Sequence, residues 1–163
     1  MFATGQRYEA TSISGAVSAA VSGQGRAQTG CNERAVTGAD VTRKILVVDD
    51  ELWAALDMEW VVQKLGHEVV GPAATVEAAI SLAEEVRPDL VLMDIRLAYK
   101  GDGIAAATEI RRRFDIASIF VSALGDSVTR ERASVAHPSG FIEKPFSPEG
   151  LAQAIKTALH TEH

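Results

Sequence analysis

The chain has 163 residues, a length that predicts one domain with a short additional segment. Its net charge of −6 and isoelectric point near 5.2 argue against electrostatic binding to nucleic acid or to an anionic membrane. The single cysteine, Cys31, excludes an internal disulfide framework and is typical of a reducing compartment. Because no apolar run approaches the roughly 20 residues that span a bilayer and the N-terminus lacks a secretory signal pattern, we expect a cytoplasmic protein.

Residues 1–42 differ in composition from the rest of the chain. They contain six of the thirteen glycines and equal numbers of acidic and basic residues, and they show no sustained apolar period. Such a stretch cannot bury enough apolar area to offset the entropy of ordering it. We therefore predict a disordered or loosely attached tail, or residues added by a wrongly assigned start codon, followed by one domain over residues 43–160.

The first half of that domain alternates between strand and helix patterns. Lys44–Val48 is a short apolar, β-branched run, as expected for a strand that is buried on both faces. Residues 51–65 repeat apolar positions with a helical period, and residues 68–70 form a second strand. Thr75 is the predicted N-cap of a helix that ends near Val86.

The second half continues the alternation after Pro88, with a third buried strand at Leu90–Met93. The later elements are a helix at 104–114, a strand at 118–121, a weaker helix at 128–136, a strand at Gly140–Glu143, and a helix at 148–159 with Ser147 as its N-cap. Five strands that alternate with five helices predict an α/β fold with right-handed crossovers and a parallel sheet covered on both faces.

Polar side chains stand at the carboxyl ends of four of these strands. Asp49 and Asp50 follow the first strand, Asp94 the third, Ser122 the fourth and Lys144 the fifth. In open parallel sheets the binding site lies beyond these strand ends, where the strand order reverses. The sequence therefore predicts a site with three carboxylates, a hydroxyl and an ammonium group.

Asp49, Asp50 and Glu51 are consecutive acids, and like charges this close repel one another. At ~4 Å and an effective dielectric of ~20, each pair costs on the order of 4 kcal/mol. Solvent, a helix amide or a cation can relieve this repulsion. Asp is among the best N-caps, but a cap explains only one of the acids, so we favour a metal ion.

Four segments carry a family resemblance. In chain order they are KILVVDDE, DLVLMDIRL, FVSALG and GFIEKPF, and each closes a predicted strand. Together they resemble the receiver domain of two-component response regulators of the chemotaxis-regulator-like kind, over roughly residues 43–160. The resemblance implies a flavodoxin-like, doubly wound, five-stranded parallel sheet with strand order 2-1-3-4-5 and five helices.

The resemblance also implies an Mg²⁺-dependent phosphorylation site. Asp94 would be the phosphoacceptor, because a carboxylate can act as a nucleophile and form an aspartyl phosphate. Asp50 and Asp94 would bind Mg²⁺ directly, Asp49 would bind mainly through water, and the backbone carbonyl of Arg96 would complete the protein ligands. Mg²⁺ prefers oxygen ligands of this kind.

Two further groups would act on the phosphate and on the switch. Lys144 would supply a point charge to a phosphate oxygen, and the Ser122 hydroxyl would donate to another. In similar receivers this hydroxyl moves together with an aromatic side chain of the fifth strand, here Phe141, so Ser122 and Phe141 are the predicted switch residues. The Lys144–Pro145 peptide bond is cis in similar receivers.

The segment after Asp94 departs from the family pattern. It has Ala98 where proline is usual and one extra residue before Gly103, which predicts a longer and more flexible loop. Arg96 and Leu124 occupy positions that influence the access of water to the acyl phosphate in similar receivers. We expect this bulky pair to slow dephosphorylation.

The predicted function is that of a single-domain response regulator. It would accept a phosphoryl group from a histidine kinase or a phosphotransfer protein and signal to an unidentified downstream protein, or serve a relay as a phosphate shuttle or sink. It would not be an enzyme beyond the phosphorylation and dephosphorylation of its own Asp94, and it would bind neither nucleic acid nor membrane. The alternatives are a phosphatase with an aspartyl nucleophile and a flavodoxin-like cofactor binder.

Overall fold

A computed structural model describes residues 41–123 and 125–161. Its strands and helices are, in chain order, β1 Lys44–Val48, α1 Leu52–Lys64, β2 Glu68–Ala73, α2 Val76–Val86, β3 Leu90–Met93, β4 Arg96–Leu97, β5 Gly101–Asp102, α3 Gly103–Phe114, β6 Ala117–Ser122, α4 Ser127–Ala133, β7 Gly140–Glu143 and α5 Pro148–Thr161. Short 3-10 turns follow β4 and α4, at Ala98–Lys100 and Ser134–Ala136. The predicted tail and Cys31 lie outside the described residues, apart from positions 41 and 42, so the domain boundaries stay a prediction.

The main sheet has five parallel strands in the order β2-β1-β3-β6-β7. Counted without the two-residue strands β4 and β5, this is the predicted order 2-1-3-4-5, and the predicted fold class is confirmed. The order reverses between β1 and β3, which are direct neighbours with Ile45 opposite Leu90. The carboxyl ends of β1 and β3 therefore meet at the switch point of the sheet.

Helices cover both faces of this sheet, which is why the central strands are apolar throughout. Leu46 and Val48 of β1 face a cluster that includes residues of α2 and α3. Ile45 and Val47 face the opposite cluster, which includes residues of α1 and α5. The side chains of a strand alternate between faces with a period of two. In a strand that is buried on both faces, every position therefore favours an apolar residue.

Side-chain caps begin four of the five helices that lie within the described residues. The predicted caps are confirmed, because Thr75 Oγ1 accepts from the Ala78 amide at 3.2 Å and Ser147 Oγ accepts from the Gly150 amide at 3.1 Å. Two caps were not predicted. Asp102 Oδ1 accepts from the Ile104 amide and Asp126 Oδ1 from the Thr129 amide, each at 2.9 Å.

Strand β2 is longer than predicted, because it continues through Gly71 and Pro72 to Ala73. Pro72 is tolerated because β2 is an edge strand, where a missing amide breaks no ladder on the outer side. At Gly71 φ is +112°, and an added Cβ would lie 2.8 Å from the carbonyl oxygen of Val47. Glycine is therefore required where β2 passes β1.

The segment after Asp94 is a short hairpin, whereas a longer and more flexible loop was predicted. Arg96 pairs with Asp102 and Leu97 with Gly101 in an antiparallel ladder, β4 with β5. The turn between them accommodates the additional residue with left-handed φ values at Tyr99 (58°) and Lys100 (62°). The hairpin anchors the chain between Asp94 and α3.

Among the described residues, no helix is both long and apolar enough to cross a membrane.

Candidate functional site

Three carboxylates converge at the carboxyl ends of β1 and β3. Asp49, Asp50 and Asp94 each offer an oxygen atom, and these oxygens all lie within 4.8 Å of one another. Asp49 is 3% exposed and Asp94 9% exposed, whereas Asp50 is open to solvent. The sequence prediction that strand-end acids meet at one edge agrees with this geometry.

Backbone hydrogen bonds fix the two buried acids. The Asp49 amide donates to the Ala73 carbonyl, and the Asp94 amide donates to the Val48 carbonyl, both at 2.9 Å. The sheet ladder therefore continues one residue beyond each strand. Because this residue belongs to the ladder and not to a loose loop, the position of its carboxylate is determined by the sheet.

Lys144 joins the two buried acids from the end of β7. Its Nζ lies 2.6 Å from Asp49 Oδ2 and 3.0 Å from Asp94 Oδ2. Its amide donates to the Ser122 carbonyl at 3.0 Å, which continues the ladder between β6 and β7. The Lys144–Pro145 peptide bond is cis, as the resemblance implied.

Burial and charge act in opposite directions on this cluster. Burial raises the pKa of the Asp49 carboxyl, although hydrogen bonds from Lys144 and from the Glu51 amide counteract part of that rise. Burial by itself would lower the pKa of Lys144, but the hydrogen bonds and negative charges of Asp49 and Asp94 outweigh it and raise that pKa. Lys144 is therefore a cation at neutral pH, held beside Asp94.

The capping alternative does not account for the acids of β1. The N-cap of α1 is Glu51, whose side chain makes no capping bond. Asp49 Oδ1 instead accepts from the Glu51 amide at 2.9 Å, within the turn that precedes the helix. Asp94 Oδ1 similarly accepts from the Arg96 amide at 3.3 Å. The backbone of Arg96 is thus close to the Asp94 carboxylate, and its carbonyl as a metal ligand stays a prediction.

Gly103 is a site residue that sequence reasoning treated only as the end of a loop. A Cβ at this position would lie 1.8 Å from the carbonyl oxygen of Asp94, so no other residue type allows α3 to begin this close to β3. The Gly103 amide donates to the Ile95 carbonyl at 2.7 Å. The signal in the sequence was a glycine directly after the cap residue Asp102. The close approach to Asp94 that requires this glycine is seen only in the structure.

The two predicted switch residues lie on β6 and β7. Ser122 is buried at the end of β6, and Phe141 is half-buried opposite Phe120, with ring centroids 6.0 Å apart. The guanidinium of Arg130 on α4 lies 4.7 Å from the Phe141 ring centroid, and its Nε donates to the Gly125 carbonyl at 3.0 Å. Sequence reasoning missed Arg130, because its contacts depend on how α4 packs against β7.

One predicted pair is only half described. Arg96 is exposed on β4, whereas Leu124 lies outside the described residues. The expected influence of this pair on dephosphorylation therefore stays a prediction.

The family model for the response regulator receiver domain matches residues 45–156. The chain therefore belongs to the receiver domain family of two-component signalling, as the four motifs predicted. Receiver domains use Mg²⁺ at an acidic pocket. The cluster of Asp49, Asp50 and Asp94 fits such an ion, because three carboxylates with oxygens this close form the hard-oxygen donor set that Mg²⁺ prefers.

Individual relatives support this assignment. The chain is 37% identical over 123 residues to the phyllosphere-induced regulator PhyR of Methylorubrum extorquens, covering 74% of the chain and 45% of PhyR. It is 33% identical to the chemotaxis protein CheY of Thermotoga maritima, covering 69% of the chain and 94% of CheY. The receiver domain of a modulated diguanylate cyclase from Desulfovibrio desulfuricans superposes with a TM-score of 0.68 at 30% identity, covering 74% of the chain and 95% of that structure.

The match is confined to part of several relatives. The chain spans 45% to 58% of the length of PhyR and other curated regulators that it resembles. The activities and partners of those whole proteins are therefore not transferred to this chain by the comparison.

Proposed function

We propose that this chain is a response regulator that accepts a phosphoryl group on Asp94. The observation that carries the proposal is the placement of Lys144 Nζ, 3.0 Å from Asp94 Oδ2 and 2.6 Å from Asp49 Oδ2, within a cluster of three acids. A structural ion pair would need one acid and one lysine. A third acid that is open to solvent makes the cluster suited to a cation and an incoming phosphate.

The chemistry follows from these groups. A carboxylate oxygen of Asp94 attacks the phosphorus of a phosphohistidine, the P–N bond breaks with its electron pair returning to the imidazole, and an acyl phosphate forms. The transition state of phosphoryl transfer is loose and carries its charge on three oxygens, so it needs positioning and positive charge. The ammonium group of Lys144, 3.0 Å from Asp94 Oδ2, supports this proposal because it can neutralise charge on one of these oxygens.

Mg²⁺ supplies the remaining positive charge when it is bound. Asp50 and Asp94 would hold it directly, Asp49 would hold it through water, and the carbonyl of Arg96 would be the backbone ligand. Such binding would relieve the repulsion among the acids. Ladder hydrogen bonds hold the backbone of Asp49 and Asp94 at the ends of β1 and β3, which supports this role.

The proposed switch joins Ser122 to Phe141. After phosphorylation the Ser122 hydroxyl donates to a phosphate oxygen, and Phe141, which has no hydroxyl of its own, responds through packing alone. Because Arg130 lies against Phe141 and bonds Gly125, a change at Phe141 reaches the surface of α4. The charge of the added phosphate would thus change the surface of α4 that a downstream protein contacts.

The donor is a histidine kinase or a histidine phosphotransfer protein, and the output is a protein contact, a relay step or a phosphate sink. The chain turns over no substrate other than its own acyl phosphate. The single-domain organisation and the cytoplasmic location remain predictions from the sequence. Its acidic charge continues to disfavour nucleic acid and anionic membrane as partners.

Phosphotransfer from a panel of ³²P-labelled histidine kinases and phosphotransfer proteins tests this function. We expect rapid, Mg²⁺-dependent label on the wild-type chain from at least one donor, and none on Asp94→Asn. Asp102→Asn is the matched control, since this exposed acid lies next to the site but outside the cluster, and it should be labelled like wild type. Label on Asp94→Asn, or multiple turnover on phosphoesters, would contradict the proposal, the latter in favour of a phosphatase.

A further inference from the structure

Helix α1 has an apolar face that no described element covers. Four large, exposed side chains form this α1 apolar face. They are Leu52 (61% exposed), Trp53 (73%), Leu56 (43%) and Trp60 (52%). The chain has two tryptophans, and both lie here. Tryptophan is the residue most enriched among those that dominate the energy of protein interfaces.

The opposite side of α1 is already used by the core. Ala55, Met58, Val61 and Val62 are buried against the sheet and α5. A helix that is apolar on both sides is normally buried on both sides. Exposed side chains of this size in one contiguous stripe indicate a surface that another protein covers.

Two exposed side chains of opposite charge lie beside the tryptophans of this face. Asp57 and Lys64 are exposed and lie three residues before and four residues after Trp60, with opposite sign. Among the described residues Asp57 forms no ion pair, and Lys64 Nζ lies 5.4 Å from the Trp60 ring centroid. If two copies of α1 cross antiparallel at Trp60, Asp57 of each copy faces Lys64 of the other.

A groove beside Trp60 can receive an aromatic ring. Its volume is about 170 Å³, its apolar walls include Val61 and Leu65 of α1 and Ala152 of α5, and Lys64 and Glu149 also line it. In the antiparallel arrangement Trp60 of one copy lies over this groove of the other. The groove and the ring belong to the same surface, as a two-fold symmetric interface requires.

We propose that a second copy of this chain docks on the α1 apolar face and forms an antiparallel, two-fold symmetric dimer. The proposal does not depend on Asp94 being the phosphoacceptor. The two tryptophans of one chain, at roughly 200 Å² each, contribute only about 250 Å² of exposed surface. The full interface therefore lies near the lower limit of specific contacts, about 1,000 Å² in total, and the dimer is weak.

Sedimentation velocity of the full chain over about 5 to 500 µM tests the dimer. We expect the wild-type sedimentation coefficient to rise with concentration, and Trp60→Ala to raise the dissociation constant at least ~10-fold. Val135→Ser is the matched control, because Val135 is exposed in the 3-10 turn after α4, away from this face, and its loss should leave self-association unchanged. Circular dichroism and thermal melting check that each variant is folded.

Charge reversal tests the antiparallel geometry. Asp57→Lys alone, or Lys64→Asp alone, places like charges together at both symmetric contacts, and each should raise the dissociation constant about 10-fold. An equimolar mixture of the two variants pairs opposite charges at both contacts, so the mixed dimer should recover to within ~3-fold of wild type. The doubly substituted chain should recover likewise.

Three results would overturn the proposal. They are a wild-type chain that stays monomeric up to the highest concentration, single charge reversals without effect on association, and a mixture of the two reversed variants that does not recover. A monomeric wild type whose Trp60→Ala variant receives phosphate more slowly from its donor would assign the face to the phosphodonor instead.

Discussion

Lys144 supplies the positive charge that balances the two buried acids of the site. Without Lys144, the buried carboxylates of Asp49 and Asp94 would share neither a positive charge nor a hydrogen-bond donor. Lys144 holds the acids together until a metal ion and a phosphate share their charge. The same lysine therefore stabilises the resting site and belongs to the reaction.

Gly103 permits the close approach of α3 to Asp94, and its substitution tests that geometry. We expect Gly103→Ala to lower the free energy of unfolding by about 3 kcal/mol, because the new Cβ would overlap backbone atoms that cannot move separately. Urea denaturation measures this loss. Gly140→Ala is the control, since its Cβ would meet only Ile119 side-chain atoms at 3.6 Å or more. Equal stability of the two variants would show that the close approach is not a constraint.

Asp126 provides a pH-dependent contribution to stability. Hydrogen bonds from the Thr129 amide and hydroxyl lower the pKa of Asp126 in the folded state. A group with a lowered folded pKa stabilises the fold above its unfolded pKa, near 3.8, and this contribution is lost as the pH falls through the folded pKa.

Asp126→Asn keeps a good N-cap but cannot titrate, so it isolates that contribution. We expect the stability advantage of the wild type over Asp126→Asn to be constant between about pH 5 and 7 and to shrink below the unfolded pKa. Urea denaturation at a series of pH values measures it. An advantage that grows as the pH falls would have the wrong sign for a lowered pKa.

At the scale of elements, two arginines of α4 join it to neighbouring parts of the fold, in addition to the buried residues Thr129 and Ala133. Arg130 lies on Phe141 and bonds Gly125, whereas Arg132 pairs with Asp102 at 2.9 Å. The first contact covers a half-buried ring, and the second joins two solvent-exposed side chains. Only the first should contribute appreciably to stability, because exposed ion pairs are weak.

Arg130→Ala and Arg132→Ala form a matched pair on the same helix. We expect Arg130→Ala to cost about 1 to 2 kcal/mol through the lost ring contact and hydrogen bond. Arg132→Ala should cost less than about 0.5 kcal/mol. Chemical denaturation ranks the two, and a larger cost for Arg132→Ala would show that α4 is held by its ion pair with Asp102.

The same elements show how far local pattern predicts this fold. Asp49, Asp94 and Lys144 were located because each ends an apolar run, and such runs end at one edge of a parallel sheet. The hairpin at 96–102 and the extension of β2 through Pro72 were not predicted. Both segments are strands because they pair with a neighbouring strand. The glycines and the proline within them do not favour strand formation, so the local sequence gives no sign of that pairing.

At the scale of the whole molecule, the chain carries a net charge of −6 and concentrates three acids at one sheet edge. The repulsion among these acids exists only in the folded state, so it lowers the free energy of unfolding. A ligand that binds only the folded state stabilises it by an amount that rises with the logarithm of the ligand concentration. Mg²⁺ should therefore stabilise the fold as well as support phosphorylation.

Thermal or urea denaturation with and without Mg²⁺ measures this linkage. At a concentration ten times the dissociation constant, we expect about 1.4 kcal/mol of added stability, reversed by EDTA. Asp50→Asn should lose most of the gain without unfolding, since Asp50 is exposed. Glu131→Gln, which removes an exposed acid on α4, should keep the full gain. An equal Mg²⁺ response in both variants would place the ion outside the cluster.

The most direct measurement locates the phosphoryl group itself. The chain is incubated with acetyl phosphate and Mg²⁺, the acyl phosphate is trapped by borohydride reduction, and the modified peptide is sequenced by mass spectrometry. We expect one reduced residue per chain, homoserine at the position of Asp94, formed with Mg²⁺ and absent with EDTA. A reduced residue at any other position, or equal reduction without the metal ion, would contradict phosphorylation of Asp94.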